Sequence, residues 1–575
     1  MRFVTFVLLI IGSADLPDRI GTVAFSNPIG TKSMHRLISN TKQPRQSWKG
    51  APSRQQRGRH LMNYESVAGH IQAAENGGES TSNESPSSGS TLMLAFNETE
   101  AKAQAAEIDA SMQKPPRWRQ ALPNSKDGYA LDKMILGTAI PSMINLAVVP
   151  LVNSVDTFWV GRMGVALALA GQAAANSCFF TLYFLVAFLP TMTAPLVAEA
   201  VGSGDTEKAQ NRVCESLFLC HLLGGLGTLL LVARPRIALQ SILAKNAPAL
   251  EYAAPYLRWR ALSMIPALSA ATGFAAYRGL LDTLTPLKVS LATNAMNLVL
   301  DPLLIFPARM GFVGAALATA MSEAMGGVVY MKLLLKRKLA TFAKLFKPPT
   351  WEAIKPIVQG GASLLARQAA INVSIVASAR KAQAMDPSGV LAAAFGIVNQ
   401  IYVVGIVVHV AVQGTAAALV PSIKAKDGDV AAREVADRTF FWGSVVGGLL
   451  GLSQILAVPV LVPLFSTLPE VQKAVQVPAR LGALLHIING PVFAGEGAML
   501  GQGLYRGLAS ITALTTAVLV GALTMSPLGG SLRGIILAQI VASTLQATCV
   551  VWHHLKLGPL SSKRLEANSK KQGGR

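Results

Sequence analysis

Between Lys133 and Leu555 the sequence divides into twelve apolar segments, each long enough to cross a bilayer and each separated from the next by a short connection. Inside lipid no water is available to satisfy a backbone amide, so a chain of this kind must resolve into helices whose hydrogen bonds close within each segment. The segments run approximately 133–160, 165–198, 211–233, 253–280, 286–308, 312–335, 355–380, 389–421, 438–465, 474–502, 507–527 and 532–555. The expected fold class is therefore all-α, an integral membrane protein of twelve transmembrane helices. Only 14% of the residues are charged, well below the roughly 25% of soluble domains. Glycine is abundant and aromatics few, which suits helices packed closely through small side chains. Pro141, Pro150, Pro190, Pro195, Pro266 and Pro491 fall inside segments, where they are expected to kink helices rather than end them.

The net charge of +21 does not point to nucleic acid, because the basic residues are not gathered into a binding domain. They occupy an N-terminal leader, the short connections, and the tail Lys563, Arg564, Lys570, Lys571 and Arg575. With both chain ends on one side, that side receives Lys208, Arg212, Arg278, Lys288, the run from Lys336 to Lys355, Lys424, Lys426, Arg433 and Arg506. The opposite side keeps fewer, chiefly Arg162, Arg234, Arg236, Lys245, Arg309, Arg380 and Lys381. Positive-inside asymmetry thus predicts an even number of spans with both ends inside. Cys178, Cys214, Cys220 and Cys549 have no metal-ligand spacing and read as small hydrophobes.

Before the first segment three compositions succeed one another. Residues 1–18 carry a short charged start, an apolar run too short to span, and small residues, as in a cleavable signal peptide. Residues 19–64 are basic and free of acids, like an organellar transit peptide. Together they resemble the bipartite presequence of proteins imported into plastids with extra membranes, with Ala24-Phe25 similar to the Ala-Phe junction of such leaders. A plastid membrane, with the envelope foremost, is the expected location; the alternative is an ordinary secretory signal leading to the plasma membrane or endomembranes. Residues 65–125 are acidic and then mixed, rich in Gly and Ser, and expected to be a disordered linker, with sequons at Asn83 and Asn97. The expected organisation continues with a six-helix lobe over 126–338, a second over 339–558, and a basic tail over 559–575.

Within the fifth segment, Asn294 to Phe306 places Asn297 and Asp301 in apolar surroundings. On a helix they are i and i+4 and share one face, about 6 Å apart along the axis. A carboxylate at bilayer depth costs on the order of 2.5 to 3.5 kcal/mol, so the pair is expected to face a protein-lined cavity and to act there. The alternative is that Asp301, followed by Pro302, brackets a helix end at the interface.

The two halves of the chain echo each other. Gly204-Asp205 matches Gly428-Asp429, Gly279 matches Gly501, and the stretch from Gly314 matches that from Gly534. Each match falls six segments on, and six is even, so the copies share one orientation: two parallel-repeat six-helix lobes about an axis along the membrane normal.

Four motifs carry a family resemblance: Val155-Asp-Thr-Phe-Trp-Val-Gly-Arg-Met-Gly164, Arg278-Gly-Leu-Leu-Asp-Thr-Leu-Thr-Pro286, Asn297-Leu-Val-Leu-Asp-Pro302 and Gly311-Phe-Val-Gly-Ala-Ala-Leu-Ala-Thr319. From about residue 130 to 557 the chain resembles the multidrug and toxic compound extrusion (MATE) family, especially its DinF-like branch. The resemblance implies a secondary active antiporter without cofactors that exports an organic solute in exchange for H+ or Na+. It implies a coupling-ion site in the N-terminal lobe at Asp156, Asn297, Asp301 and Thr319, with the first helix bending at Pro141. The acid that another branch carries in its seventh helix is missing from 357–379. Glu496 is a candidate second polar site, or an interfacial group paired with Arg480 or His486. Arg367 is either a contact for an anionic solute or a partner of a backbone carbonyl, and Gln400 is a further candidate solute contact.

Two carboxylates in one low-dielectric pocket cannot both stay ionised cheaply, so one is expected to hold a proton near neutral pH; the same oxygens, with Asn297 and Thr319, also suit Na+. The expected partners are a small organic solute and membrane lipids, with no nucleic acid, and the expected state is a monomer. Rival readings are a lipid-linked or polysaccharide flippase of similar architecture, which should carry more charge along its central cavity, and a membrane-embedded enzyme. Against the enzyme, His221, His409 and His486 lie in apolar segments and are expected to be isolated from one another, and no HExxH, GxSxG or phosphate-loop pattern occurs.

Overall fold

The computed structural model describes residues 126–240, 243 and 247–572. The signal, transit-like and linker segments expected over 1–125 lie outside the described residues, as do the two sequons. The protein is an all-α, multi-pass integral membrane protein whose helices form twelve spans in two lobes.

The N-terminal lobe begins with α1 (Lys126–Gly161), which runs unbroken through Pro141 and Pro150. The second span is two pieces, α2a (Ala166–Val186) and α2b (Phe188–Gly202). Its break has a covalent cause: Pro190 has no N–H to offer the carbonyl of Val186, and its ring crowds that carbonyl. The fourth span divides in the same way into α4a (Ala249–Ala261) and α4b (Met264–Gly279), with Pro266 four residues beyond Leu262. Between them lies α3 (Thr206–Ala233), whose first turn is capped by the Asp205 carboxylate accepting from the Lys208 amide at 2.8 Å. The lobe is completed by α5 (Leu284–Ile305) and α6 (Gly311–Lys336).

The C-terminal lobe contains α7 (Trp351–Ala384), α8 (390–427), α9 (429–465), α10 (Pro469–Gly501), α11 (Tyr505–Met525) and α12 (Leu532–Trp552). A connection was expected between the eighth and ninth segments, over about 422–437. Helix instead continues through it from Val390 to Phe465, interrupted only at Gly428, whose backbone sits at φ 88°, ψ −177°. Ala, Lys, Arg and Glu dominate that stretch and favour helix in water as well as in lipid, so leaving the membrane does not end it.

The repeat seen in the sequence is present in the packing. Gly204 and Gly428 both have positive φ, 74° and 88°. Gly279 in α4b lies so close to α2b that a Cβ there would stand 2.7 Å from the Ala194 carbonyl oxygen; one on Gly501 in α10 would stand 3.1 Å from that of Ala417 in α8. The same helix pair therefore closes in the same way in each lobe.

Apolar side chains fill each lobe, with Ile357 and Leu364 of α7 and Tyr505 of α11 joining the N-terminal core, and a further cluster joins the two lobes. It comprises Leu131 and Ile135 of α1, Leu281, and Leu419, Val420, Ile423, Val435, Ala436 and Trp442 of α8 and α9. Beside it Asp132 of α1 takes both Arg438 nitrogens at 2.5 Å and the Trp442 indole N–H at 2.6 Å. All these residues lie at the end of the bundle that carries the chain termini. α2b packs against α7, α8 and α10, whereas α2a, at the other end of the same span, packs against helices of its own lobe. The lobes are thus sealed together on the basic, terminus-bearing side. Cys178, Cys214 and Cys220 are buried free thiols, consistent with their reading as small hydrophobes.

Candidate functional site

Helices α1 and α5 pack together and bring Asp156 and Asp301 close enough to interact electrostatically. Asp301 is fully buried and Asp156 and Asn297 nearly so. Asp301 lies in the last turn of α5, which stops at Ile305, and its burial there fits a protein-lined pocket. Thr319 of α6 places Oγ1 3.3 Å from Asp156 Oδ2 and 3.1 Å from the Ala315 carbonyl oxygen, so its single proton serves one or the other. Asp156 Oδ1, both carboxyl oxygens of Asp301, and Oδ1 and Nδ2 of Asn297 have no hydrogen-bond partner within the protein. Buried polar atoms are nearly always partnered, so this cluster of unmatched oxygens fits a site for a proton or a hard cation. The shell around it is aromatic. Trp159, one turn from Asp156, meets Phe306 edge to face, and Tyr256 of α4a stacks on Phe312 with ring centroids 4.7 Å apart.

Pro141, the expected hinge, is buried in α1, fifteen residues or about four turns before Asp156.

Sequence reasoning missed two charged neighbours of this cluster. Arg260 of α4a is buried and grips Glu323 of α6 with two hydrogen bonds, 2.6 and 2.9 Å, while its guanidinium carbon lies 3.8 Å from the Phe179 ring centroid. Both interact electrostatically with Asp156. The available signal was opposite charge inside two apolar segments, Arg260 in 253–280 and Glu323 as the acid of 312–335, with Glu323 one turn beyond Thr319.

In the C-terminal lobe Glu496 is buried on α10, and its partners are neither Arg480 nor His486. Arg367 of α7 donates from Nη2 to Oε2 at 2.7 Å, Gln413 of α8 donates to the same oxygen at 2.7 Å, and Gln546 of α12 donates to Oε1 at 2.7 Å. Arg367 thus meets a carboxylate rather than a backbone carbonyl, and four helices share one compensated charge pair. Gln400 is half-buried and lies thirteen residues from Gln413, about 20 Å along α8, well removed from this cluster. The expectation that the membrane histidines are isolated is also corrected. His409 Nε2 and His486 Nδ1 are 3.2 Å apart, and Tyr402, His486, His409 and Phe493 form one continuous stack. Residues 77 positions apart in sequence gave no local sign of this pairing.

The MatE family model matches residues 141–303, which include Pro141, Asp156, Asn297 and Asp301. The chain is 33% identical over 203 residues to Protein DETOXIFICATION 44, chloroplastic, of Arabidopsis thaliana, covering 33% of this chain and 38% of that protein. It is 29% identical over 208 residues to DNA damage-inducible protein F of Escherichia coli, covering 36% and 45%. The chain therefore spans less than half the length of either of these relatives. A solved structure described as MATE in the bent conformation superposes with a TM-score of 0.69 at 20% identity, over 77% of this chain and 97% of that one. Residues 141–303 thus carry a match to the MatE family model, and the fold of the described residues is similar to that of solved multidrug and toxic compound extrusion (MATE) structures.

Proposed function

We propose that the protein is a secondary active antiporter that exports a small organic solute in exchange for H+ or Na+, acting as a carrier without catalytic chemistry. The carrying observation is the set of buried, unpartnered oxygens on Asp156, Asn297 and Asp301 at the α1–α5 interface, with Thr319 beside them. A cation bound there neutralises charge that the apolar lobe otherwise has to hold. It biases the two lobes between access states by its differential affinity for them, with Pro141 supplying the flexible point in α1. Sealing on the terminus-bearing side corresponds to one of those states.

Glu496 is matched by Arg367 and two glutamines, so the C-terminal lobe contributes little net charge at that point. This favours a neutral or basic solute over an anion at Arg367, and Gln400 is kept as a candidate polar contact on α8. The E. coli relative supports the DinF-like branch, and the Arabidopsis relative is named chloroplastic, which with the leader composition supports a plastid membrane as the location. The working unit in this reading is a monomer.

The test is flux in proteoliposomes holding the full chain, with ethidium as the probe solute and an imposed pH or Na+ gradient. Gradient-driven flux is expected in the native protein and background flux in Asp156→Asn and Asp301→Asn. Native-level flux in either variant would remove the site from the coupling mechanism.

A further inference from the structure

Of the charged groups in the N-terminal lobe, Glu323 and Arg260 have no part in the ion site as described, and their geometry is not that of an inert pair. Side-chain exposure is 28% for Glu323 and 4% for Arg260, while Asp156 and Asp301 are buried. Glu323 is therefore the acid of this group that a cation entering the lobe meets first. It lies one helical turn, about 6 Å along the axis, beyond Thr319, which itself touches Asp156. Arg260 sits where both acids feel it: it is hydrogen-bonded to Glu323 through Nη1 and Nη2, held from the other side by Ser263 and the Phe179 ring, and interacts electrostatically with Asp156.

We propose that Glu323 is a loading station through which the coupling cation reaches Asp156 and Asp301, and that Arg260 is the fixed charge for which Glu323 and Asp156 compete. With a cation on the aspartate pair, Asp156 makes little demand on Arg260, which stays with Glu323. When the cation leaves, the exposed charge on Asp156 draws on Arg260 and loosens its hold on Glu323. The most accessible carboxylate then becomes available to capture the next cation, and passing it inward restores the Arg260–Glu323 pair. No bond is made or broken beyond transfer of the cation between carboxylate oxygens. The groups facing this path are Asp301 from α5, Thr319 from α6, Tyr256 from α4a, and Tyr183 and Gln172 from α2a. Arg260 is the sole fixed positive charge among them.

This inference rests on the antiporter reading, so its test measures cation loading separately from solute flux. Full-length purified protein is mixed with a step in pH, followed by a soluble pH dye, or with radiolabelled Na+, and both the rate of uptake and the amount bound at equilibrium are recorded. In Glu323→Gln the rate is expected to fall about tenfold, within the range of coupling between interacting sites, while the bound amount at saturation is kept. Asp156→Asn should lose the bound amount itself. Native loading rates in Glu323→Gln would overturn the proposal. A purely structural ion pair makes a different prediction: Glu323→Gln strands a buried guanidinium, and the double variant Arg260→Met with Glu323→Gln should recover native rates. Recovery overturns the station, and continued slow loading in a folded double variant supports it. If the native protein loads cations but moves no probe solute, the antiporter reading fails while the station stands.

Discussion

At the scale of the residue, the site is defined by buried oxygens with no partner of their own. Thr319 is the one neutral group with a hydrogen bond directed at an acid of the site, and the bond is long at 3.3 Å. Hydrogen bonds to charged groups contribute about 1.5–3 kcal/mol, and one this long belongs at the lower end. Thr319→Ala is therefore expected to weaken coupling-cation affinity about tenfold, with Thr319→Ser close to native, as read from the cation concentration giving half-maximal flux. Equal affinities for Ala and native protein would show that the hydroxyl stays with the Ala315 carbonyl. Asn297 and Asp301 were legible in the sequence because a polar pair at i and i+4 inside an apolar run has few structural uses. Asp156, two residues before Phe158, gives no such local sign near the end of its segment and came only through the family motif. Arg260 and Glu323 escaped because they lie in different segments, 63 residues apart, and only three-dimensional contact makes them a pair.

At the scale of the element, hydropathy located nearly every span, since membrane thickness constrains length directly, while Pro190 and Pro266, expected only to kink their helices, divide them after Val186 and Ala261 for covalent reasons. Hydropathy missed the continuation of α8 into α9, where solvated helix looks the same as a loop to a hydropathy window. It also left helix pairing open, which depends on which faces can approach. A periodic stripe settles that for α9: a Cβ on Gly443 would stand 2.6 Å from the Gly490 carbonyl oxygen, and one on Gly451 would stand 2.8 Å from that of Ala483. Gly447, midway, meets His486 and Gly490. Gly448, the next residue, has no neighbour within 4 Å. Gly447→Ala must push α9 off α10, and a loss of about 1–3 kcal/mol is expected, the usual cost of overpacking, seen as a lower melting temperature in detergent. Gly448→Ala should be neutral or stabilising by about 0.5–1 kcal/mol, as for a helical glycine whose added Cβ meets no neighbour. Similar melting temperatures for the two variants would contradict this packing. The stripe also seats His486 against Gly405, which explains how two histidines far apart in sequence come to be stacked.

At the scale of the whole molecule, the two lobes meet on the terminus-bearing side, and the polar centre of that seal is Asp132 with Arg438 and Trp442. Asp132 belongs to α1, the helix that carries Asp156, while Arg438 and Trp442 belong to α9, so this contact exists only while the lobes are closed on that side. In the proposed alternating-access cycle this contact breaks once per turn, which limits how strong it can be. Removing one partner of a buried ion pair costs about 3–5 kcal/mol, because the remaining charge is stranded. Opening this side returns the stranded group to water, so the cost falls on the closed state alone. A shift of about 3 kcal/mol is ~150-fold in the equilibrium, enough to raise an open state populated at about 1% to more than half. Arg438→Gln is therefore expected to lengthen the separation of spin labels placed at Leu281 and Ala431, which flank the seal from opposite lobes. The charge-reversed pair Asp132→Arg with Arg438→Asp should restore part of the short-distance population. Unchanged distances in Arg438→Gln would mean that the apolar cluster around Ile135 and Val435 holds the lobes together by itself, and that the ion pair sets their alignment rather than their equilibrium.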